Sequence, residues 1–436
     1  MNKLLFGVGR EIITPEVGCT LMGYRPDLYS TCVEDDLTAT AFYFEQDGKK
    51  ALAISATVAC ICTELSEEIL SEIKARFGIP KTDCILAAIH THSGPKTQGL
   101  EGWGDVDREY CDSIFIPKIL SAVETAINNP KPVKMGVSVG KSLVGINRRE
   151  LTHTRNRVNL GQNPWGCFNP DMTVISFKDN DDNIVANIIH YAAHCTAAGA
   201  NTEITRDWAG LMIDALEEKS GAITAFFNGC AGDVGPRLSN GKTTGDLTYV
   251  KELGKIAGDD AVRIFNTISE YEDIDFSVLS KDINIPLKAR IPYETAVEEL
   301  KKYEGNVINI DALKKNHFER VKLSYENNER DEEFLTVRQT LIKIGDVVLL
   351  SSPFELFSEI GMRISKGCDV KHVLSLSYAN GNEGYFVTED QLVREGYEVN
   401  CYRFWHKQSP VDDGDLHFIQ ASVANINELI KKYETE

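Results

Sequence analysis

No CxxC spacing occurs among the eleven cysteines, and no window approaches the roughly eighteen consecutive apolar residues of a spanning helix. The first absence excludes zinc ribbons and dithiol redox motifs, and the odd cysteine count argues against a disulfide framework. Reduced, mostly buried thiols and a cytoplasmic location are therefore expected. The opening "MNKLLFGVGREIITPE" holds only a short apolar patch, Leu4 to Val8, without a small-residue cleavage site, so no secretory leader is expected. Basic residues are the scarcer charge, 46 against 65 acidic, for a net charge of -19. A field of that sign disfavours nucleic acid and anionic membranes as partners and leaves small molecules. Internal repeats and low-complexity tracts are also missing, which excludes solenoids and long disordered tails.

What remains is ordinary globular material, 42% hydrophobic and 25% charged, long enough for a large core. The first 270 or so positions alternate between strand-like and helix-like segments. "KKALAISATVACI" reads as a buried strand, "TELSEEILSEIKARFG" as a helix stopped at Gly78, and "CILAAI" as the next strand. "VDREYCDSIFIPKILSAVETAINN" is a helix halted by Pro130, and "VKMGVSVGK" a strand. "DMTVISFK" and "NIVANIIHYAAH" read as paired strands around "DNDDN". "TRDWAGLMIDALEEKSG" is a helix with Thr205 as candidate N-cap, followed by the strand "AITAFF" and another helix. This alternation predicts an α/β fold: a layered mixed β-sheet core with helices on both faces. Charged helical stretches around 269–338 interrupt the rhythm and predict a small helical excursion or lobe. A hairpin around Gly345-Asp346 follows, with a helix starting near Phe354 or Glu355.

Candidate chemistry collects where apolar runs end. In "AAIHTHSGP", His90 and His92 sit at i and i+2 after a strand, so both rings can reach one point beyond the sheet edge. That spacing suits a metal ion or a polarised carbonyl, and spacing alone leaves both imidazoles as candidate ligands. In "IIHYAAHCTAAG", His194 stands at the polar end and is the better candidate, while His190 reads as a hydrogen-bonded core histidine. Asp207 could cap a helix or orient an imidazole. "FFNGCAGDVGPRLS" places Gly232, Asp233 and Gly235 in a loop where backbone N–H groups could approach substrate, though it lacks the GxxxxGK[ST] spacing of a phosphate loop. Glu355 in "SSPFELFSEIG" reads on its own as a helix-start carboxylate. "SYANGNEGYFVTEDQLVREGYE" adds Tyr378, Tyr385 and Tyr397.

In this order the segments "GVGREIITPEVGCTLMGY", "AAIHTHSGP", "GINRRE", "HYAAHCT", "GCAGDVGP", "SSPFELF" and "GYFVTEDQLVREGYE" resemble the N-terminal catalytic domain of the neutral/alkaline non-lysosomal ceramidase family. HTHSGP is the most specific of them. The resemblance implies a single catalytic domain over 1–436 without the family's C-terminal β-sandwich module. It also implies a zinc ion held by His90, His194, Glu355 and Tyr385, with His92 and Arg148 on the substrate's oxyanion. The chemistry implied is metal-activated water attacking an amide (N-acyl) bond. Such a reaction also needs a general acid for the leaving amine, for which Tyr397 or a histidine near the pocket is the candidate.

One position departs from the family pattern, which has serine where this chain has Gly235. With no interfacial aromatic-basic helix in view, a small soluble N-acyl substrate is expected rather than ceramide. Two alternatives stand beside this reading: a metal-dependent hydrolase or lyase acting on a sugar-like metabolite, and a non-catalytic binding protein with a degenerate site. Homo-oligomerisation is left open. His153, His317, His406 and His417 read as solvated or structural residues, and Trp103 as a packing residue.

Overall fold

A computed structural model describes the chain apart from residues 1–2, 101, 153–156, 304, 306 and 436, so His153 lies outside the described residues. Eight strands form the larger sheet. From edge to edge they are Ile223–Asn228, Ile184–Tyr191, Asp171–Asp179, Lys131–Lys141, Leu5–Ile12, Thr38–Gln46, Lys49–Ala56 and Cys84–Ala88. Each edge carries a parallel pair, and the pairings between them are antiparallel. Parallel neighbours need a crossover, and helices Thr63–Phe77 and Asp207–Ser220 supply the two. The first stops where Gly78 turns to φ 69, a left-handed cap that glycine adopts without strain. In the second, the cap position falls on Arg206, one residue after the expected Thr205, whose hydroxyl still accepts from the Asp207 N–H at 3.0 Å.

A second sheet, ordered Phe276–Pro286, Phe334–Ile344, Val347–Ser351 and His372–Leu376, packs against the first. Alternation along the strands shows how. Leu52, Ile54 and Ala56 join the helix-facing core with Ile69 and Val123, while Ala51, Ala53, Phe42 and Phe44 meet Ile342, Ile344 and Leu349 of the second sheet. The far face of the second sheet is covered by helices Ser358–Lys366 and Gly414–Thr435 through Ile360, Ile364, Phe418 and Ile426. The layered mixed α/β architecture is thus present with helices on both outer faces, and the core between them is two sheets rather than one.

The stretch 269–338 is only partly helical. Helices Tyr293–Leu300 and Asn309–Glu326 form the excursion, but the segments on either side are the long antiparallel pair Phe276–Pro286 and Phe334–Ile344. Alternating polar residues in "DFSVLSKDINIP" hide that strand from a helix-biased reading. His317, expected on a solvated face, is 4% exposed. Its Nδ1 lies 2.6 Å from the His406 carbonyl, and its ring packs edge-on to Phe318 and Phe404. All eleven cysteines are free thiols. Among the described residues no helix is long and apolar enough to cross a membrane.

Candidate metal centre

The larger sheet curls until its two edges meet. Asn228, at the end of one edge strand, donates from Nδ2 to the Ile89 carbonyl beyond the opposite edge strand, at 2.9 Å, and to the Ala193 carbonyl at 3.0 Å. This seam brings His90 and His92, just past Cys84–Ala88, beside His194, just past Ile184–Tyr191. The strand ends of the second sheet arrive at the same place. The Ala88 N–H donates to the Tyr378 carbonyl and the Ser377 N–H to the Asn228 carbonyl. A two-residue parallel pairing then sets Glu355 opposite Tyr385. Glu355 therefore lies on a short strand, and the helix expected near it begins only at Ser358.

Four donor atoms converge there. Glu355 Oε2 lies 3.5 Å from His90 Nε2 and 3.4 Å from His194 Nε2, and the Tyr385 hydroxyl lies 3.3 Å from His194 Nε2. Four ligands at about 2.0–2.2 Å from a tetrahedral zinc stand roughly 3.3–3.6 Å apart, so the spacing fits the ion. The outer nitrogens fit as well. His90 Nδ1 is 2.7 Å from the Ala59 carbonyl, and His194 Nδ1 is 2.8 Å from Ala231 O and 3.1 Å from Val234 O. Each Nδ1–H is thereby committed to a carbonyl, which leaves the Nε2 lone pair pointing inward. Burial pushes both imidazoles well below their usual pKa, and His92 to about 4, which favours the neutral, metal-binding form.

His92 differs. Its Nε2 is 3.1 Å from His90 Nε2, so the three histidines also form a cluster whose ligand atoms lie within 4.8 Å of one another. Its Nδ1 is buried and has no hydrogen-bond partner. The ring sits between Tyr24, edge-on at 5.2 Å, and Gly23, where a Cβ would meet Nδ1 at 2.3 Å. Gly23 has φ +119 and belongs to the opening "LMGY", so that motif makes room for His92. His90 itself adopts φ 70, a left-handed backbone uncommon for a residue with a side chain and typical of functional sites.

Arg148 donates from Nη2 to the Tyr385 hydroxyl at 2.9 Å and from Nε to Glu398 Oε1 at 2.9 Å. Glu398 is fully buried and takes Arg149 on its other oxygen at 2.6 Å. The guanidinium expected to clamp a substrate oxyanion is thus spent on the Tyr385 oxygen. Tyr397 lies edge-on to Tyr385 with ring centroids 5.7 Å apart and lines the cavity, and burial raises its phenol well above the usual value.

The glycine loop sits elsewhere than its expected substrate role. Asp233 accepts from the Ser358 N–H and hydroxyl, both at 2.7 Å, and from Asn147 at 3.2 Å. Gly232 donates to the Leu356 carbonyl at 2.8 Å, and a Cβ there would strike the Glu355 carbonyl. Gly235 is paired with Ile146 and faces Thr243. None of the three lines the cavity; they fix the strand that carries Glu355 and the strand Gly145–Asn147 that leads into Arg148. Asp207 orients no imidazole: its carboxylate accepts from the Ala197, Ala198 and Trp208 N–H groups, and Trp208 donates to the His194 carbonyl. His190 lies 3.2 Å from the Ser375 carbonyl, as a core histidine. Tyr378 carries more than its sequence signal suggested, stacking on His90 at 4.1 Å with its hydroxyl 3.4 Å from Glu355. Gln98, Asn382, Cys60 and Cys401 line the cavity without any sequence signal that marked them.

Residues 4–252 match the family described as neutral/alkaline non-lysosomal ceramidase, N-terminal. The chain belongs to that family. The neutral ceramidase of Pseudomonas aeruginosa is 24% identical over 460 aligned positions, covering 90% of this chain and 68% of the bacterial protein. The neutral ceramidase of Drosophila pseudoobscura pseudoobscura is 26% identical over 262 positions, 54% of this chain but only 36% of the insect protein. The crystal structure of the Pseudomonas neutral ceramidase superposes with a TM-score of 0.74 at 21% identity, over 98% of this chain and 75% of that one. That likeness establishes the fold.

Proposed function

We propose that the protein is a zinc-dependent hydrolase that cleaves the amide bond of a small, soluble N-acyl compound. Family and fold support a hydrolase acting on amides. The observation that carries the metal assignment is the convergence of His90, His194, Glu355 and Tyr385 at tetrahedral spacing, with both imidazoles turned inward by backbone carbonyls. Bound there, zinc would polarise the acyl oxygen and lower the pKa of water.

The protein's own groups divide the remaining work. Burial raises the Tyr385 phenol well above its usual value, and Arg148, locked by Glu398, opposes that shift by holding a positive charge against the Tyr385 oxygen. His92, with its neutral ring at the cavity wall, is placed to donate to the acyl oxygen as negative charge develops there. The phenol of Tyr397, kept protonated by burial, is placed to give the departing nitrogen its proton as the C–N bond breaks. The eleven free thiols support a reducing, cytoplasmic setting. The non-catalytic alternative loses its best argument, because Gly235 faces Thr243 rather than the cavity.

The test is amide hydrolysis by purified protein across a panel of N-acyl amines, after chelation and again after zinc is restored. Turnover lost on chelation and recovered with zinc is expected. Turnover indifferent to chelation contradicts the metal assignment, and no turnover on any amide contradicts the hydrolase.

A further inference from the structure

Two adjoining chambers of very different size and lining lie beside the metal centre, and the smaller is the one lined by His90, Glu355 and Tyr385. The inner one holds about 50 Å³, with apolar walls from Met22, Cys60, Trp103 and Cys401. A neck of Gln98, Leu100, Asn382 and Trp405 borders both chambers and leads to an outer one of about 640 Å³. Asn382 donates to Gln98 across the neck at 2.8 Å, and both residues are buried, so the neck is fastened by its own hydrogen bond. The outer chamber lies between the start of helix Thr63–Phe77 and the helical excursion, whose Leu313, Asn316 and Arg320 form its far wall. Its carboxylates are Glu64, Asp105 and Glu383. Against these three stands one guanidinium, Arg320, which donates to the Trp405 carbonyl, so the chamber is net acidic among the described residues.

Resting on the amide-hydrolase reading, we infer that the substrate is a short-chain N-acyl derivative of a polar, cationic amine, with the acyl group in the inner chamber and the amine in the outer one. Size sets the first half. A water-sized position takes about 10–15 Å³, so the inner chamber holds about three to five of them. That is room for an acetyl or propionyl group and an attacking water, and an octanoyl tail would have to displace packed walls. Polarity sets the second half. A charged ammonium in the inner chamber would find its one carboxylate, Glu355, already committed as a metal ligand, whereas the outer chamber offers carboxylates and water. Cleavage forms a carboxylate and, after protonation, an ammonium ion, and the acidic outer chamber draws the latter outward. Leu100 at the neck and Trp103 behind it, packed with Leu313 of the excursion, are the residues that set acyl length.

The experiment uses zinc-loaded protein with N-acetylputrescine, N-octanoylputrescine and the uncharged N-butylacetamide, reading both calorimetric affinity and kcat/KM. N-Acetylputrescine is expected to exceed the octanoyl compound by about tenfold or more and N-butylacetamide by about threefold to fivefold. Glu64→Gln should shrink the second ratio and Leu100→Ala the first. Equal or tighter binding of the octanoyl compound overturns the short-acyl chamber, and equal binding of N-butylacetamide overturns the cationic one. No measurable binding of N-acetylputrescine overturns both. Binding with the expected preferences but without hydrolysis leaves this inference standing and sinks the hydrolase reading instead.

Discussion

The two sheets contribute different chemistry to one centre. The eight-stranded sheet supplies nitrogen: His90, His92 and His194 all follow its strand ends. The four-stranded sheet and the segments after it supply oxygen: Glu355, Tyr385, Tyr378 and Tyr397. Neither half holds a complete donor set, so the site exists only when the sheets are packed. Glu398 makes the dependence explicit, because a carboxylate from the second half pairs with both Arg148 and Arg149 from the first. A metal there would work as a clasp across the interface, adding its binding free energy to the folded state.

The sharpest way to break this division is Glu398→Ala, which strands two buried guanidinium groups at the junction. It should cost about 3–5 kcal/mol in chemical denaturation. A loss below 1 kcal/mol would mean that the halves are held together without that network. Next in size is His92→Ala. If its imidazole serves the substrate rather than the metal, kcat/KM should fall about 10²–10³-fold while zinc stays bound; loss of zinc with the ring would place His92 among the ligands.

Gly23→Ala sharpens the comparison inside the nitrogen half. The added Cβ collides with His92 at a φ that only glycine tolerates. The expected cost is about 1–3 kcal/mol of stability, with activity reduced and metal content kept. Full activity in this variant would contradict the close fit of Gly23 to His92.

The smallest effect concerns Asp233, which braces the oxygen half and whose carboxyl burial raises to about 6. Its folded-state pKa lies above the unfolded value, so its favourable contribution is present near pH 4 and lost as pH rises through 6. Asp233→Asn does not titrate at this position. The stability gap between wild type and variant should therefore be wider at about pH 4.5 than at about pH 7.5, and a gap that widens with pH would reverse the sign.

The same division explains what could be read in the sequence. In the nitrogen half the signals are local: a buried run that stops at HTH, or one that stops at HCT, announces a strand end bearing imidazoles. In the oxygen half the partners are distant. Glu355 beside a proline looks like a helix start, and only its pairing with Tyr385, thirty positions on, turns it toward the centre. Resemblance to the family, not periodicity, singled out those two. The glycine loop misled because glycines near a site look like a place for substrate, whereas here they allow the Glu355 strand to approach. The two chambers draw on segments around residues 22, 60, 100, 313, 382 and 400, and no sequence window contains such a surface.

The most direct measurement is metal content by elemental analysis on the wild type beside His194→Ala, Glu355→Gln and His92→Ala. About one zinc per chain is expected in the wild type and in His92→Ala, with depletion in both His194→Ala and Glu355→Gln, one ligand from each half. A metal-free wild type prepared without chelators, or full zinc retained in both ligand variants, would contradict a centre built across the two sheets.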